Sequence, residues 1–526
     1  SGGVKNFASG AALTNQGNVV WSSGTLQPAG SGTSTITNAS GALFDIQGDL
    51  AVTDTVNNDT GTHTLNFVNQ AGGELRRSSG TGTVTLGGQF DGNDRMFFTL
   101  QNDGAFNVAT GTAQVNGFTT VSSNGGSFLA STGAVIDFVG GSHTLGNMTS
   151  SGAGTWQLSG AAVSVSAGNT VNASNVAFNA GSVSGPGELL ITGNASTWTG
   201  GTLAGNLRVA SGGTLTLSGG VKNFASGAAL TNQGNVVWSS GTLQPAGPGT
   251  STITNASGAL FDIQGDLAVT DTVNNDTNTH TLNFVNQAGG ELRRSSGTGT
   301  ATLGGQFDGN DVMLFNLQNN GNVNVMTGTV QINQFGTSSA NGGSFQIASG
   351  ALFDVVAGTH TFGNMTSSGA GSWRLSGGTV GVSAGASANL SNLAFNGGTL
   401  AGPGEVLITG NGSSWNGGVL SGNLRVASGG LLTLAGGMKL VASGAQLTNQ
   451  GNVVWTAGNI EPANSGSSTI TNASGAVFDI RGDVAVTDTV NNDTNTHTLS
   501  FVNQSGGELR RSTSAGTVTL GGFFDG

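Results

Sequence analysis

The sequence predicts an all-β fold, a right-handed parallel β-helix (a β-solenoid), from three observations. Short alternating segments such as residues 206–210 and 214–217 recur along the chain, separated by Gly, Asn and Ser. No 11-residue window holds a helical stripe, and the helix formers Glu and Lys are scarce. The chain also repeats itself. We therefore expect an elongated rod of about 20 coils with almost no helix, since coils stack through strands about 4.8 Å apart.

The repeat has a period of 217 residues. Residues 1–94 and 218–311 differ at only three positions: Ser31 and Pro248, Gly61 and Asn278, Val84 and Ala301. The same offset continues into residues 312–434 with lower identity. We interpret the chain as modules 1–217 and 218–434 and a partial module 435–526. Together they predict one continuous solenoid that is a fragment of a longer chain.

Composition excludes several classes of protein. Only 8% of residues are charged, 94 are Gly, and Cys and Tyr are absent. Hydrophobic residues still reach 36%, which argues against a disordered linker. The net charge of −12 is spread thinly, so we expect no nucleic-acid partner. No apolar run approaches 18 residues, so we expect no membrane insertion.

An Asn recurs within each module, after an apolar residue and a spacer and shortly before a Gly. Such residues can stack at the corners of successive coils as a ladder of amides, each bonded to the next coil. Ordinary exposed Asx-turns are the alternative interpretation. These positions are Asn15, Asn38, Asn69, Asn102, Asn232, Asn255, Asn286, Asn449, Asn472 and Asn503.

The tryptophans share a second pattern, an aromatic residue followed within a few positions by Gly. This pattern is typical of a strand that runs into a tight corner, so a structural role is expected. All seven follow it: Trp21, Trp156, Trp198, Trp238, Trp373, Trp415 and Trp455.

Segments such as residues 201–217 and 13–19 resemble the β-strand repeats of large bacterial surface proteins, the filamentous-haemagglutinin-like adhesins and autotransporter passengers. The resemblance implies a β-helical stalk, exported across the outer membrane to the cell surface, with roles in adhesion, aggregation or biofilm matrix. A self-assembling extracellular filament or sheath is the second hypothesis. Expected partners are other copies, bound laterally or end to end, and a cell-surface or matrix glycan.

A polysaccharide-active enzyme is the third hypothesis, because β-helices also host polysaccharide lyases and glycosidases. The active sites of such enzymes need clustered carboxylates, or a carboxylate near Lys, Arg or His. The richest acidic set recurs in every module, so no single site is privileged. We expect solvated loop acids and no enzyme at Asp45, Asp49, Asp54, Asp59, Asp262, Asp266, Asp271, Asp276, Asp479, Asp483, Asp488 and Asp493.

No cofactor is expected. Two Asp-Gly-Asn-Asp segments hold candidate Ca²⁺ ligands, for which a Gly-Asn hairpin or corner is the alternative interpretation: Asp91, Asp94, Asp308 and Asp311. The histidines are isolated, so exposed strand positions are expected rather than zinc ligands at His63, His143, His280, His360 and His497.

A basic motif occurs once per module. We expect an intramolecular surface pair, and a lateral contact between fibres is the alternative. Its residues are Glu74, Arg76, Arg77, Glu291, Arg293, Arg294, Glu508, Arg510 and Arg511. A lone lysine also recurs, expected to be solvated, at Lys5, Lys222 and Lys439.

Overall fold

The structure is a computed structural model that describes residues 2–54, 61–87, 95–271, 278–305, 312–489, 496–513 and 515–521, with only the backbone described at 95, 117–123, 312 and 334–340. The chain forms two compact units, residues 1–253 and 254–526. The described residues form strands, turns and bends without any helix, so no helix capable of crossing a membrane occurs among them.

Strands β1 to β27 begin in the first unit. In chain order they are Lys5–Phe7, Ala12–Asn15, Asn18–Trp21, Leu26–Pro28, Gly32–Asn38, Leu43–Gln47, Ala51–Val52, Thr62–Asn69, Glu74–Ser79, Thr83–Leu86, Arg95–Asn102, Ala105–Val108, Thr112–Asn124, Ser127–Ala130, Val135–Leu145, Thr149–Ser151, Thr155–Val165, Thr170–Ala173, Val176–Ile191, Ser196–Trp198, Gly201–Val209, Thr214–Leu217, Lys222–Phe224, Ala229–Asn232, Asn235–Trp238, Leu243–Pro245 and Gly249–Asn255.

Strands β28 to β58 lie in the second unit. They are Leu260–Gln264, Ala268–Val269, Thr279–Asn286, Glu291–Ser296, Thr300–Leu303, Val312–Asn319, Asn322–Val325, Thr329–Asn341, Ser344–Ile347, Leu352–Phe362, Met365–Ser368, Ser372–Leu375, Thr379–Val382, Ser387–Leu390, Leu393–Phe395, Thr399–Ala401, Glu405–Ile408, Ser413–Trp415, Val419–Leu420, Asn423–Val426, Leu431–Leu434, Lys439–Val441, Gln446–Asn449, Asn452–Trp455, Ile460–Pro462, Gly466–Asn472, Val477–Ile480, Ala485–Val486, His497–Asn503, Glu508–Arg511 and Thr519–Leu520.

Each coil has three faces, because a strand pairs in parallel with the third strand after it. The first coil establishes this, with β1 paired to β4, β2 to β5 and β3 to β6. Later strands such as β13 turn a corner and contribute to two faces. The predicted all-β parallel solenoid is confirmed, whereas its right-handedness and coil number stay predictions.

The core of each unit is the interior of its coils. Side chains alternate between inside and outside along most strands, and most inside residues are apolar, chiefly Leu, Val, Ile, Phe, Ala and Trp. In Thr214–Leu217, for example, Leu215 and Leu217 are buried while both threonines face outward. Apolar stacks on successive coils remove this surface from water, which is the main force that favours the fold.

Successive copies of the repeat stand on different faces. In the first unit, the face that begins at β2 continues through β5, β8, β11, β13, β15, β17, β19 and β21 to β23. The second-copy equivalent of β2 is β24, and it lies on the next face, which begins at β3. One copy therefore comprises whole coils plus one further face.

The second unit has the same offset between its own copies. The face of β28 leads through β31, β34, β36, β38, β41, β44 and β47 to β50. The third-copy equivalent of β28 is β54, and it lies on the face of β29 instead.

Candidate functional site

The predicted Asn positions stack in register on successive coils. The Nδ2 of Asn15 donates to Oδ1 of Asn38 at 2.8 Å, Asn38 donates to Asn69 at 2.8 Å, and Asn69 donates to Asn102 at 2.7 Å. In the second unit the rungs are Asn255 to Asn286 to Asn319, and Asn449 to Asn472 to Asn503, at 2.7–2.8 Å. The buried amides also donate to backbone carbonyls, as Asn38 does to Glu74 at 3.0 Å.

The ladder has members that the sequence pattern missed. The backbone N–H of Asn102 donates to Oδ1 of Asn124, and that of Asn319 donates to Oδ1 of Asn341. The 217-residue offset could have found Asn319 from Asn102. The remaining predicted position, Asn232, is buried and accepts a hydrogen bond from the N–H of Gly234.

All seven tryptophans are buried. Several indole Nε1 atoms donate to the carbonyl of a following corner glycine, as Trp198 does to Gly200 at 2.9 Å and Trp238 to Gly241 at 3.1 Å. Trp198 also stacks on Phe178, with 5.3 Å between ring centroids. The tryptophans therefore fill the interior and offer no aromatic surface to a ligand.

The first arginine of the basic motif forms an outward ion pair with the preceding coil. Arg76 bonds the buried Asp45, Arg293 bonds Asp262 and Arg510 bonds Asp479. Burial raises the pKa of Asp45, but hydrogen bonds from Arg76, Gln47 and Ser78 oppose it, and the net pKa lies below the ordinary value. The motif glutamates Glu74 and Glu291 accept hydrogen bonds from Asn107 and Asn324 on the next coil, and Glu508 pairs with Arg510 on its own strand.

The second arginine corrects the expectation of a surface pair or lateral contact. The side chains of Arg77 and Arg294 are 0% exposed, because this position shares the inward phase of β9 and β31. Arg77 bonds Asp49 at 2.6 Å and the carbonyls of Gly82 and Thr110. All three copies thus bond this guanidinium to an aspartate on the preceding coil. Arg77 and Arg294 are buried there, whereas Arg511, which pairs with Asp483, is 32% exposed.

The expectation of solvated loop acids is wrong at several positions. Asp45, Asp262 and Asp479 are buried beneath arginines, and Asp54 and Asp271 are fully buried. About half of the side chain is exposed at Asp49, Asp266 and Asp483, and 20% at Asp488. The other acids of interest lie outside the described residues: Asp59, Asp276, Asp493 and the Ca²⁺ candidates Asp91, Asp94, Asp308 and Asp311.

The expectation of exposed histidines is also wrong. His63 and His280 are fully buried, with Nδ1 2.9 Å from a carboxylate oxygen of Asp54 and Asp271, and His497 lies 3.2 Å from Asp488. His143 and His360 are buried against backbone carbonyls, and burial lowers the pKa of both. His63 is buried because it occupies an inward-facing position of its strand, as Leu65 and Phe67 do.

The recurring lysine is buried in two of its three copies, contrary to the expectation of a solvated side chain. The Nζ of Lys222 donates to the carbonyls of Gly220 and Ser240, each at 2.8 Å, and Lys439 donates to Gly437 and Ala457. Burial lowers the pKa of Lys222 and Lys439 to about 8. Lys5 binds the equivalent carbonyls of Gly3 and Ser23 and is partly exposed.

Many polar groups of the interior therefore act between neighbouring coils. The Asn, Arg and Lys side chains bond residues about 18 to 33 positions away in sequence, which lie on adjacent coils in space, whereas each Asp–His pair joins residues nine positions apart. Among the described residues, no three His, Cys, Asp or Glu side chains converge on a point that could hold a metal ion. No family model, curated protein or solved structure matches the chain.

Proposed function

We propose that this chain is a structural segment of a secreted or cell-surface bacterial adhesin, a β-solenoid stalk that acts in adhesion, aggregation or biofilm matrix and catalyses no reaction. The role is mechanical. Each coil carries backbone and side-chain bonds to the next, so a load along the coil stack is shared among the many bonds of each junction between coils.

The observation that carries the proposal is the use of buried polar side chains as bonds between coils. Asn38 illustrates it, because its amide accepts from Asn15 on one coil and donates to Asn69 on the next. Buried amides satisfied on both sides strengthen a stack, since an unpaired buried polar group costs about 1–3 kcal/mol. A chain that must stay extended outside the cell benefits from such bonds at every coil.

The placement of the copies also supports a structural role. Within each unit, equivalent segments of consecutive copies lie on successive faces. A stalk built in this way carries its repeated surface on more than one side. Adhesion or aggregation through many weak contacts benefits from such distribution, because multivalent contacts gain avidity without a single tight site.

Negative-stain electron microscopy of the purified chain tests the proposal. We expect isolated rods of uniform length, on the order of 100 Å, from the strand spacing of about 4.8 Å per coil. Continuous polymers would favour the self-assembling filament or sheath. Globular particles joined by tethers, or release of sugars from polysaccharides in a turnover assay, would contradict the proposal.

A further inference from the structure

One face of the second unit carries an outward polar groove of about 510 Å³. Strands β41, β44, β47 and β50 pair consecutively there, and alternation turns every second side chain outward. The lining side chains include Ser387, Glu405, Asn423, Arg425, Gln446 and Thr448. Its volume falls in the range of small-molecule sites.

The frame of the groove is held rigidly by its own hydrogen bonds. Arg425 chelates Glu405 through Nε and Nη2, at 2.8 and 2.6 Å, and its Nη1 donates to Gln450 at 2.9 Å. The Nδ2 of Asn423 donates to the carbonyls of Pro403 and Gly404 at 3.1 and 3.3 Å. The two charges therefore compensate each other, and the side chains are oriented before any ligand arrives.

The groups that remain for a ligand are neutral. Within the described part of the chain, the Gln446 amide, the Thr448 hydroxyl and the Oδ1 of Asn423 make no hydrogen bond. They offer both donors and acceptors beside the exposed Pro403 ring. A ligand rich in hydroxyl groups matches them, because each hydroxyl donates and accepts. A charged ligand would have to compete with the Arg425–Glu405 pair.

The first unit contains the same frame. Arg208 chelates Glu188 at 2.7 and 2.6 Å and donates to Gln233, and Asn206 donates to two carbonyls at 3.2 Å. Thr231 stands where the second unit has Thr448, but Ala229 replaces Gln446. The two frames therefore share their fixed geometry. The second unit adds the uncommitted amide of Gln446, and the first unit has Asn169 and Thr170 where the second has Ala386 and Ser387.

From this geometry we propose that the groove at Asn423, Gln446 and Thr448 binds a neutral oligosaccharide, and that the first-unit frame binds the same ligand class more weakly. This inference extends the proposed function by naming the class of ligand that the stalk binds. It rests on that function only in placing the chain at a surface where it meets a glycan. Binding is measured on the purified chain, so it can fail or succeed whatever shape electron microscopy reveals.

The test is isothermal titration calorimetry with cellohexaose, maltohexaose and chitohexaose, and with hexagalacturonate as the charged probe. At least one neutral probe should bind better than hexagalacturonate. The Q446A variant should weaken the tighter site about tenfold, the worth of one hydrogen bond. The A229Q variant should tighten the weaker site by a similar factor.

The matched control is Q346A, which removes an exposed outward amide of β36 outside the groove and should leave binding unchanged. Circular dichroism of each variant establishes that it folds. The proposal is overturned if no neutral probe binds, if hexagalacturonate binds better, or if Q446A has the same affinity as the unmodified chain.

Discussion

Gln157 Nε2 lies 3.2 Å from Asp137 Oδ2 on the adjacent coil, and the second copy of the repeat has Arg374 and Asp354 at these positions, 2.7 Å apart. Burial raises the pKa of Asp137, with hydrogen bonds from Ser159 and Gln157 opposing the rise. The Asp137–Gln157 pair lacks a cation, and between pH about 4 and the raised pKa the folded state binds more protons at Asp137 than the unfolded state does. The contribution of Asp137 to the free energy of unfolding therefore falls as pH rises through this range.

Replacing Gln157→Arg should supply that cation. We expect a gain of about 1 kcal/mol in the free energy of unfolding at pH 7, and a smaller gain at pH 3, where Asp137 is protonated. The reverse change, Arg374→Gln, is the matched variant and should destabilise at pH 7. Urea unfolding at both pH values measures this, and equal effects at pH 3 and pH 7 would contradict the pairing.

Removal of an inner rung should destabilise the coils on both sides. Asn69 accepts from Asn38 and donates to Asn102, so Asn69→Ala removes both bonds and takes the donor from the buried Oδ1 of Asn102, while the Asn38 amide keeps its bond to Glu74. We expect a local loss of roughly 2–4 kcal/mol, seen as faster hydrogen exchange in β5, β8 and β11. Asn66→Ala is the control, since Asn66 faces outward on the same strand. Comparable exchange in both variants would argue against the ladder.

The buried lysines should make the chain more stable in alkali. Their pKa of about 8 lies below the ordinary value near 10.5, so the unfolded state binds more protons between these limits and stability rises with pH. Cys and Tyr are absent, so few other groups titrate in this window. Lys222→Met with Lys439→Met should flatten the rise in unfolding free energy between pH 8 and 10.5. Lys5→Met is the control, and an unchanged slope in the double variant would refute the assignment.

The corner beside Lys222 requires glycine for a steric reason as well as a conformational one. Gly241 has φ +72°, and a Cβ there would lie 2.1 Å from the carbonyl oxygens of Gly219 and Gly220. Gly212 has φ +79° and open space around it. Gly212→Ala should cost about 1–2 kcal/mol from the left-handed backbone alone. Gly241→Ala should cost clearly more in thermal unfolding, and equal losses would show that the carbonyls move aside.

The sequence predicted the positions that repeat, and the buried charges show what it did not predict. The recurring context of Asn38 and Trp198 predicts structural roles, and both residues are buried. For Lys222 the sequence predicts a solvated side chain, because isolated charges usually lie on surfaces. It lies instead in the inward phase of its strand, two residues before the buried Phe224. The sequence contains the two-residue alternation of this strand, which places Lys222 on the inward side. An ammonium group is tolerated there only because neighbouring turns contribute carbonyls that accept its hydrogen bonds.

Composition, alternation and the 217-residue period by themselves determined an all-β fold of short strands, because no segment supports a helix and each short strand needs neighbours to bury its apolar side. The tertiary structure alone decided which segments are neighbours. Coil length varies with the loops, as the steps from Asn69 to Asn102 and from Asn102 to Asn124 illustrate. Register between coils is fixed by backbone pairing across those loops, so the shift of each copy to the next face cannot be read from the period.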